Sequence, residues 1–361
     1  PIISYVLDNL FSLGVRDAVV VVKDLALFEK ELSKHLSHMN IRFVEQVGAG
    51  IEDAIKSAAP MFEGEANLLL AYGDIIAPPN AYRLVLDAYI STGAEGAALI
   101  IPERHPKTYG VPSLDEDGYI RRIVDVSEEK PDIEYVIGGF YVLPSKFIDL
   151  ISDEWGLAES LNSVAEVGLA GALWTGWWVD VDYPWDVLKA VRSLLSNLKG
   201  TRISEKAEIS PKALIEGPVF IDDGARIEHG AILRGPVYIG KNSYIGTNTL
   251  IRNYTSIEEG CVVGAYSELV HTVLQPRSVV SRGSLIGYSV VGMRSVIGPG
   301  TISTMLYGEE LTRKYADLIG RIPEKIGAVI GHNVRLGPYN VLKPGTRVKS
   351  GITTEPFQIL E

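Results

Sequence analysis

Residues 215–240 read IEGPVFIDDGARIEHGAILRGPVYIG, and an aliphatic residue returns at every sixth position. The phase extends in both directions through Ile203, Ile209, Ile215, Ile221, Ile227, Leu233, Ile239, Ile245, Ile251, Ile257, Val263 and Leu269. Two positions before each of these stands a small or β-branched residue, among them Ala207, Ala225, Ala231, Ser243, Thr249, Thr255 and Cys261. A helix repeats near 3.6 residues and a strand at two, so a period of six suits neither. It suits a coil of three short strands, one hexapeptide each, in which the aliphatic side chain points into a prism-shaped core and the small one fits the corner beside it. After a shift of phase the pattern resumes at Val279, Leu285, Val291 and Ile297, and again at Ile330, Leu336, Leu342 and Val348. The charged stretch STMLYGEELTRKYADLIGRIPEK (303–325) breaks the hexads and is expected to project as an arm, since insertions in solenoids lie outside the stack.

Ahead of the coil the grammar differs. DAVVVV (17–22), IRFVEQ (41–46), NLLLAY (67–72) and AALII (97–101) are strand-length apolar runs, separated by helical patterns near 25–36, 51–61 and 79–92. Strands apolar at nearly every position and spaced by helices indicate a parallel sheet covered on both faces, where ligands bind beyond the carboxyl ends of the strands. The segment 184–200, with Pro184 at its start and Gly200 at its end, reads as a helix joining the halves. At the start of the chain, Ile3, Val6, Leu7, Leu10 and Phe11 fall on one face of an amphipathic helix. The expected division is an α/β domain over 1–195 and an all-β coil over 196–361.

The chain of 361 residues carries a formal charge of -11 and no basic cluster, which excludes an affinity built on neutralising nucleic-acid phosphates. The one cysteine, Cys261, forms no intramolecular disulfide and reads as a buried thiol of a cytoplasmic protein. No apolar run is long enough for a membrane span, and no charged-then-apolar leader opens the sequence.

A mixed α/β half followed by a hexapeptide half resembles the sugar-1-phosphate nucleotidylyltransferases that carry a left-handed β-helix, especially the bifunctional nucleotidylyltransferase/acetyltransferase type. The resemblance covers essentially the whole chain and implies a mixed, mainly parallel Rossmann-like sheet followed by a left-handed hexapeptide-repeat β-helix. YGDII (72–76) matches the family's Gly-Asp segment, which places Asp74 as a metal ligand behind Gly73. EEKP (128–131) matches the sugar-phosphate contacts with Glu129 and Lys130. IGGFYVL (137–143) matches the Ala-Gly-x-Tyr strand, where Gly139 lets the sugar approach the backbone. WWVDVDYPWDVLKA (177–190) resembles the Trp-x-Asp-Ile-Gly-Thr-Pro segment and puts Asp180 on the second metal-ligand position. EQVGAGIEDAI (45–55) matches the segment that reads the nucleobase through Gln46 and Gly50, with Ile51 where threonine is usual.

The resemblance implies attack of a sugar 1-phosphate oxygen on the α-phosphorus of a nucleoside triphosphate, with pyrophosphate leaving. Two anions must meet, so Asp74 and Asp180 would hold Mg²⁺ between them while Lys130 steadies the incoming phosphate. In the family the first helix follows a strand and a Gly-x-Gly-Thr-Arg loop that cradles the triphosphate, and this sequence contains no such loop. The expectation is therefore twofold: a nucleotidylyltransferase whose loop stands upstream, or a non-catalytic regulatory relative that oligomerises through the β-helix and binds a nucleotide sugar or a catalytic partner.

In the second half, RGSLIGYSVVG (282–292) and VIGPGTISTM (296–305) match the family's acetyltransferase motif through Ser284, Gly287, Ser289, Gly292, Gly298, Gly300 and Thr301. Its polar positions are replaced: Arg282 stands for the base His, Leu285 for Tyr, and Val296 and Met305 for the two Asn. An arginine cannot take a proton from an amine at neutral pH, so acetyl transfer is not expected. His229 and His271, seven hexads apart, fall on different faces of a three-sided coil and cannot share an ion within one chain. The resemblance further implies a homotrimer.

Overall fold

Each hexad forms one short strand that pairs in parallel with the strand one coil later, giving three parallel sheets of eight, seven and eight strands. The computed structural model describes residues 2–26, 28, 39–62, 64–103, 110–124, 134–151, 155–305 and 325–361. The predicted aliphatics from Ile221 to Leu269 form one continuous core, and Ile203, on the first coil, is 46% exposed. Small corner residues close the prism, with Ala225, Ala231, Ser243, Thr249, Thr255, Cys261 and Ser267 all buried. Their hydroxyls bond neighbouring carbonyls, as Ser243 Oγ does with Glu258 O at 2.7 Å. The second half is thus a hexapeptide-repeat left-handed β-helix.

One part of the inferred phase requires correction. Val279 and Leu285 point outward, and the core positions are Val280 and Ile286, each fully buried. The cause lies at one corner. Asn253 and Tyr254, both at positive φ (54° and 56°), turn the chain there in one coil, whereas His271 (46°) and Tyr288 (49°) turn it alone in the next two. The inward step shortens from six residues to five at Leu269 to Leu274 and again at Ile286 to Val291, and the second step restores the frame at Val291 and Ile297. The arm expected at 303–325 lies largely outside the described residues, and the coil closes across it with Val291 paired to Ile330.

The chain divides into compact units at Pro1–Asp180 and Val181–Glu361, earlier than the boundary read from the sequence. The reason is the helix Asp186–Ser196, whose Leu188 packs on Val273 and Val290 of the coil. In the first unit, helix α1 (Ile2–Ser12) leads to β1 (Asp17–Val22), which pairs in parallel with β2 (Asn40–Glu45). Helix α2 (Ile51–Ala58), β3 (Asn67–Ala71), β4 (Ile75–Ile76), helix α3 (Pro79–Thr92) and β5 (Gly96–Glu103) follow. Next come β6 (Val111–Leu114), β7 (Tyr119–Val124), β8 (Glu134–Pro144), helix α4 (Leu157–Val167), β9 (Leu169–Leu173) and β10 (Val179–Asp180).

Six of these strands form a mixed sheet in the order β3-β8-β5-β9-β7-β6. The ladders make β8 and β7 run against the other four strands. Successive residues of β5 bury on opposite faces: Ala97, Leu99 and Ile101 meet α1 and α3, while Ala98 and Ile100 meet α2 and α4. Covering on both faces accounts for the uninterrupted apolar run. Most of the helical pattern expected at 25–36 lies outside the described residues. Among the described residues, no helix is long and apolar enough to cross a membrane.

Candidate functional site

Asp74 sits where β3 ends, carried by a segment that the sequence anchors at several points. Ile75, Ile76 and Ala77, which follow it, are buried, while Asp74 itself is exposed. The Asn9 side chain of α1 donates to Ala77 O at 2.8 Å, and the Tyr82 hydroxyl of α3 donates to Ile75 O at 3.3 Å. Pro79 and Pro78 start α3 directly behind this segment, with their fixed φ suited to the first helical turn. The strand β10 then pairs antiparallel with β4, Val179 opposite Ile76 and Asp180 opposite Ile75. That register delivers Asp180 beside Asp74.

Together with Asp182, two residues further along the chain, these aspartates offer carboxylate oxygens that all lie within 4.8 Å of one another. Asp182 was not singled out in the sequence. The signal for it is the alternation VDVDY (179–183), since residues two apart in an extended segment share a face. Three carboxylates this close repel unless a cation or a proton intervenes. Hard oxygen donors in such a group suit Mg²⁺, which keeps part of its shell for water and phosphate oxygens. Among the described residues this is the one group of three metal-ligating side chains so placed. The histidines among the described residues are engaged locally: His229 shares a hydrogen bond with Ser210 Oγ at 2.9 Å, His332 Nδ1 accepts from Met293 N at 3.1 Å, and His271 lies between the rings of Tyr254 and Tyr288.

The floor beside the cluster is aromatic. Tyr72 and Tyr141 meet hydroxyl to hydroxyl at 3.2 Å. Burial, reinforced by the charges of Asp74, Glu52 and Asp180, pushes the Tyr72 hydroxyl up to about 12 and keeps it a neutral hydrogen-bonding group. Gly139 lies across from it, at φ 75°, with its carbonyl accepting from Tyr72 N at 2.9 Å. A Cβ there would come within 2.9 Å of both Ile75 and the Tyr72 ring. Packing therefore demands glycine at this position, whatever else approaches it. The neighbouring Gly138 carbonyl accepts from Trp178 Nε1 at 3.0 Å, which ties the bulged part of β8 to the segment leading into β10.

Gln46 and Gly50 occupy the loop ahead of α2. The Gln46 amide donates to Gly50 O at 2.8 Å, Ala49 N donates to Asp53 Oδ2 at 2.7 Å, and Val47 N donates to Ser57 Oγ at 3.0 Å. The loop is thus held by the first turns of its own helix. Gly73, half of the predicted Gly-Asp pair, contacts Ile3 of α1, 3.4 Å from where a Cβ would stand. Glu129 and Lys130 lie outside the described residues. On the coil, Leu285 and Val296 sit outward of the core residues Ile286 and Ile297, and Arg282 is exposed at a corner.

Residues 1–189 match the nucleotidyl transferase family, and residues 218–253 match the bacterial transferase hexapeptide repeat (six repeats). The chain is 30% identical over 363 residues to the Bifunctional protein GlmU of Methanocaldococcus jannaschii, covering 97% of this chain and 85% of that one. It is also 30% identical over 361 residues to the bifunctional sugar-1-phosphate nucleotidylyltransferase/acetyltransferase of Sulfurisphaera tokodaii, covering 96% of this chain and 86% of that one.

Proposed function

Because the chain belongs to the nucleotidyl transferase family, we propose that it is a sugar-1-phosphate nucleotidylyltransferase whose α/β half transfers a nucleotidyl group from a nucleoside triphosphate and releases pyrophosphate. The observation that carries this reading is the convergence of Asp74 and Asp180, from distant strands, with Asp182. In the proposal Asp74 and Asp180 hold Mg²⁺, with Asp182 beside them. Bound there, the ion would neutralise phosphate charge and help align the in-line displacement. Asp74 is exposed, so its carboxylate can be reached by an incoming ligand, while the buried segment behind it fixes its backbone. Tyr72 and Gly139 shape the wall on which the sugar would rest, and the loop from Gln46 to Gly50 would face the base. Glu129 and Lys130 keep the roles that the resemblance implies, on the sugar and its phosphate.

The β-helix serves assembly in this reading, through association of three copies. It carries no acetyl transfer, since a guanidinium at position 282 stays protonated and Leu285, Val296 and Met305 offer no hydrogen-bonding side chain for an amine. The test incubates the protein with Mg²⁺, each common nucleoside triphosphate and a panel of sugar 1-phosphates, and detects nucleotide sugar by mass spectrometry and pyrophosphate by a coupled assay. One triphosphate and sugar pair should yield both products in equal amounts. Triphosphate consumption without nucleotide sugar would refute the reading. Acetyl-CoA with an amino-sugar phosphate should release no free thiol.

A further inference from the structure

The residues after Asp182 read YPWDVLK (183–189). Where the Trp-x-Asp-Ile-Gly-Thr-Pro segment has Gly-Thr, this chain has Asp182 and Tyr183, so the anchoring of this stretch is a property of this chain. Asp186, buried in the first turn of the helix Asp186–Ser196, closes the turn ahead of it. Its Oδ2 accepts from Tyr183 N at 3.0 Å, and its own N–H donates to Tyr183 O at 2.9 Å. The other carboxylate oxygen accepts from Lys189 Nζ at 2.6 Å. Tyr183 also stacks on the Trp185 ring, with centroids 4.8 Å apart and planes 6° from parallel. Trp185 is buried, and the Arg347 guanidinium lies over its ring, 4.6 Å from the centroid. A guanidinium is flat and always charged, so it stacks on an indole face and is attracted by the ring electrons.

The coil in turn places Arg347. Register pairs Val273 with Val290, Val290 with Val329 and Val329 with Arg347, so the four residues form one row across adjacent strands. The helix Asp186–Ser196 crosses that row: Leu188 packs on Val273 and Val290, and Trp185, one turn earlier, meets Arg347 at the end of the row. Apolar contacts at Leu188 dock the helix, which leaves Arg347 a different task. It fixes the ring on which Tyr183 rests, and Tyr183 is joined by a peptide bond to Asp182. We propose that Arg347 is a positioning residue for the carboxylate group: through Trp185 and Tyr183 it holds Asp182 within reach of the cation that Asp74 and Asp180 bind. This rests on the reading of those carboxylates as the Mg²⁺ site, and the product assay above judges that reading separately.

The test titrates Mn²⁺ alone into each variant and reads the free ion by electron paramagnetic resonance. Arg347→Ala should weaken Mn²⁺ binding by about three- to tenfold, and Arg347→Lys, which keeps the charge but not the flat stack, should recover part of the loss. The Mg²⁺ concentration for half-maximal pyrophosphate release should rise by a similar factor, with little change in rate at saturating Mg²⁺. Arg192→Ala is the structural control: Arg192 lies over the Tyr254 ring, 5.5 Å from its centroid, further along the same helix, and its loss should leave Mn²⁺ affinity as in the parent. In an Asp182→Asn background, Arg347→Ala should add less than about a twofold effect, because the group through which it acts is gone. Mn²⁺ binding in Arg347→Ala equal to that of the parent, or absent from both, would overturn the inference. So would an equal loss in Arg192→Ala, or full additivity with Asp182→Asn. A parent chain that yields nucleotide sugar and gives any of these results keeps the reading and loses the inference.

Discussion

Asp74 and Asp180 meet because each ends or forms a strand whose neighbours are buried, so backbone register brings the two residues side by side. Replacing either with asparagine removes a charge while keeping the shape. Asp74→Asn and Asp180→Asn should each lower pyrophosphate release by about a hundredfold or more, measured at saturating substrates. Melting temperature should change little in both variants, since Asp74 is exposed and Asp180 only half-buried. A fall in melting temperature matching the fall in rate would point to a structural role instead. Gly139→Ala places a Cβ against Ile75 and Tyr72 at positive φ, and should cost about 1–3 kcal/mol in urea unfolding. At this scale the sequence made Asp74 and Asp180 visible through the strands and motifs around them. It left Asp182 unmarked, because alternation within a short segment gains meaning only once its partner strand is known. Gly139 was expected to make room for a sugar, and the structure supplies a packing reason for it as well.

Strands read from local pattern are the part of the elements that the sequence displays most openly. DAVVVV and NLLLA are strands within a residue of the expected limits, and α3 begins and ends at Pro79 and Thr92 as its proline start and Gly93 stop indicate. Neighbour order is a different matter. Nothing in GGFYVLP states that β8 will lie between β3 and β5 and run against both, because pairing across such a separation depends on the whole sheet. The coil repeats the lesson: six-residue phase is legible for twelve hexads, but the two five-residue turns depend on single residues, His271 and Tyr288, holding positive φ. Ile251→Ala, in the fully buried stack, should destabilise the second unit by about 2–5 kcal/mol, followed by chemical denaturation. The elements around the site also carry a pH dependence. Tyr72 and Tyr82 are both pushed up to about 12, chiefly by burial. Their neutral forms are favoured in the fold, so this contribution is full below about pH 10 and is lost as pH rises toward 12. Urea midpoints measured from pH 8 to pH 11 should be level at first and then fall, and Tyr82→Phe should flatten the fall.

For the molecule as a whole, the negative balance of -11 and the absence of a basic cluster in the sequence argue against an affinity built on nucleic-acid phosphates. The second unit presents three parallel sheets around a continuous apolar core. Light scattering on the eluting protein should return three copies, and a monomer at micromolar concentration would remove assembly from the account. The class of reaction was legible in the sequence through the resemblance of segments such as YGDII and WWVDVDYPWDVLKA to those of a nucleotidylyltransferase family. The nucleotide and sugar were not, since the loop from Gln46 to Gly50 is built from contacts to itself. A metal site shared by Asp74 and Asp180 is tested by Mn²⁺ binding, followed by electron paramagnetic resonance with a nucleoside triphosphate present and Mg²⁺ as competitor. A protein-dependent Mn²⁺ signal is expected at one site per chain, displaced by Mg²⁺ and absent in Asp74→Asn combined with Asp180→Asn. The same signal in that double variant as in the parent protein would contradict it.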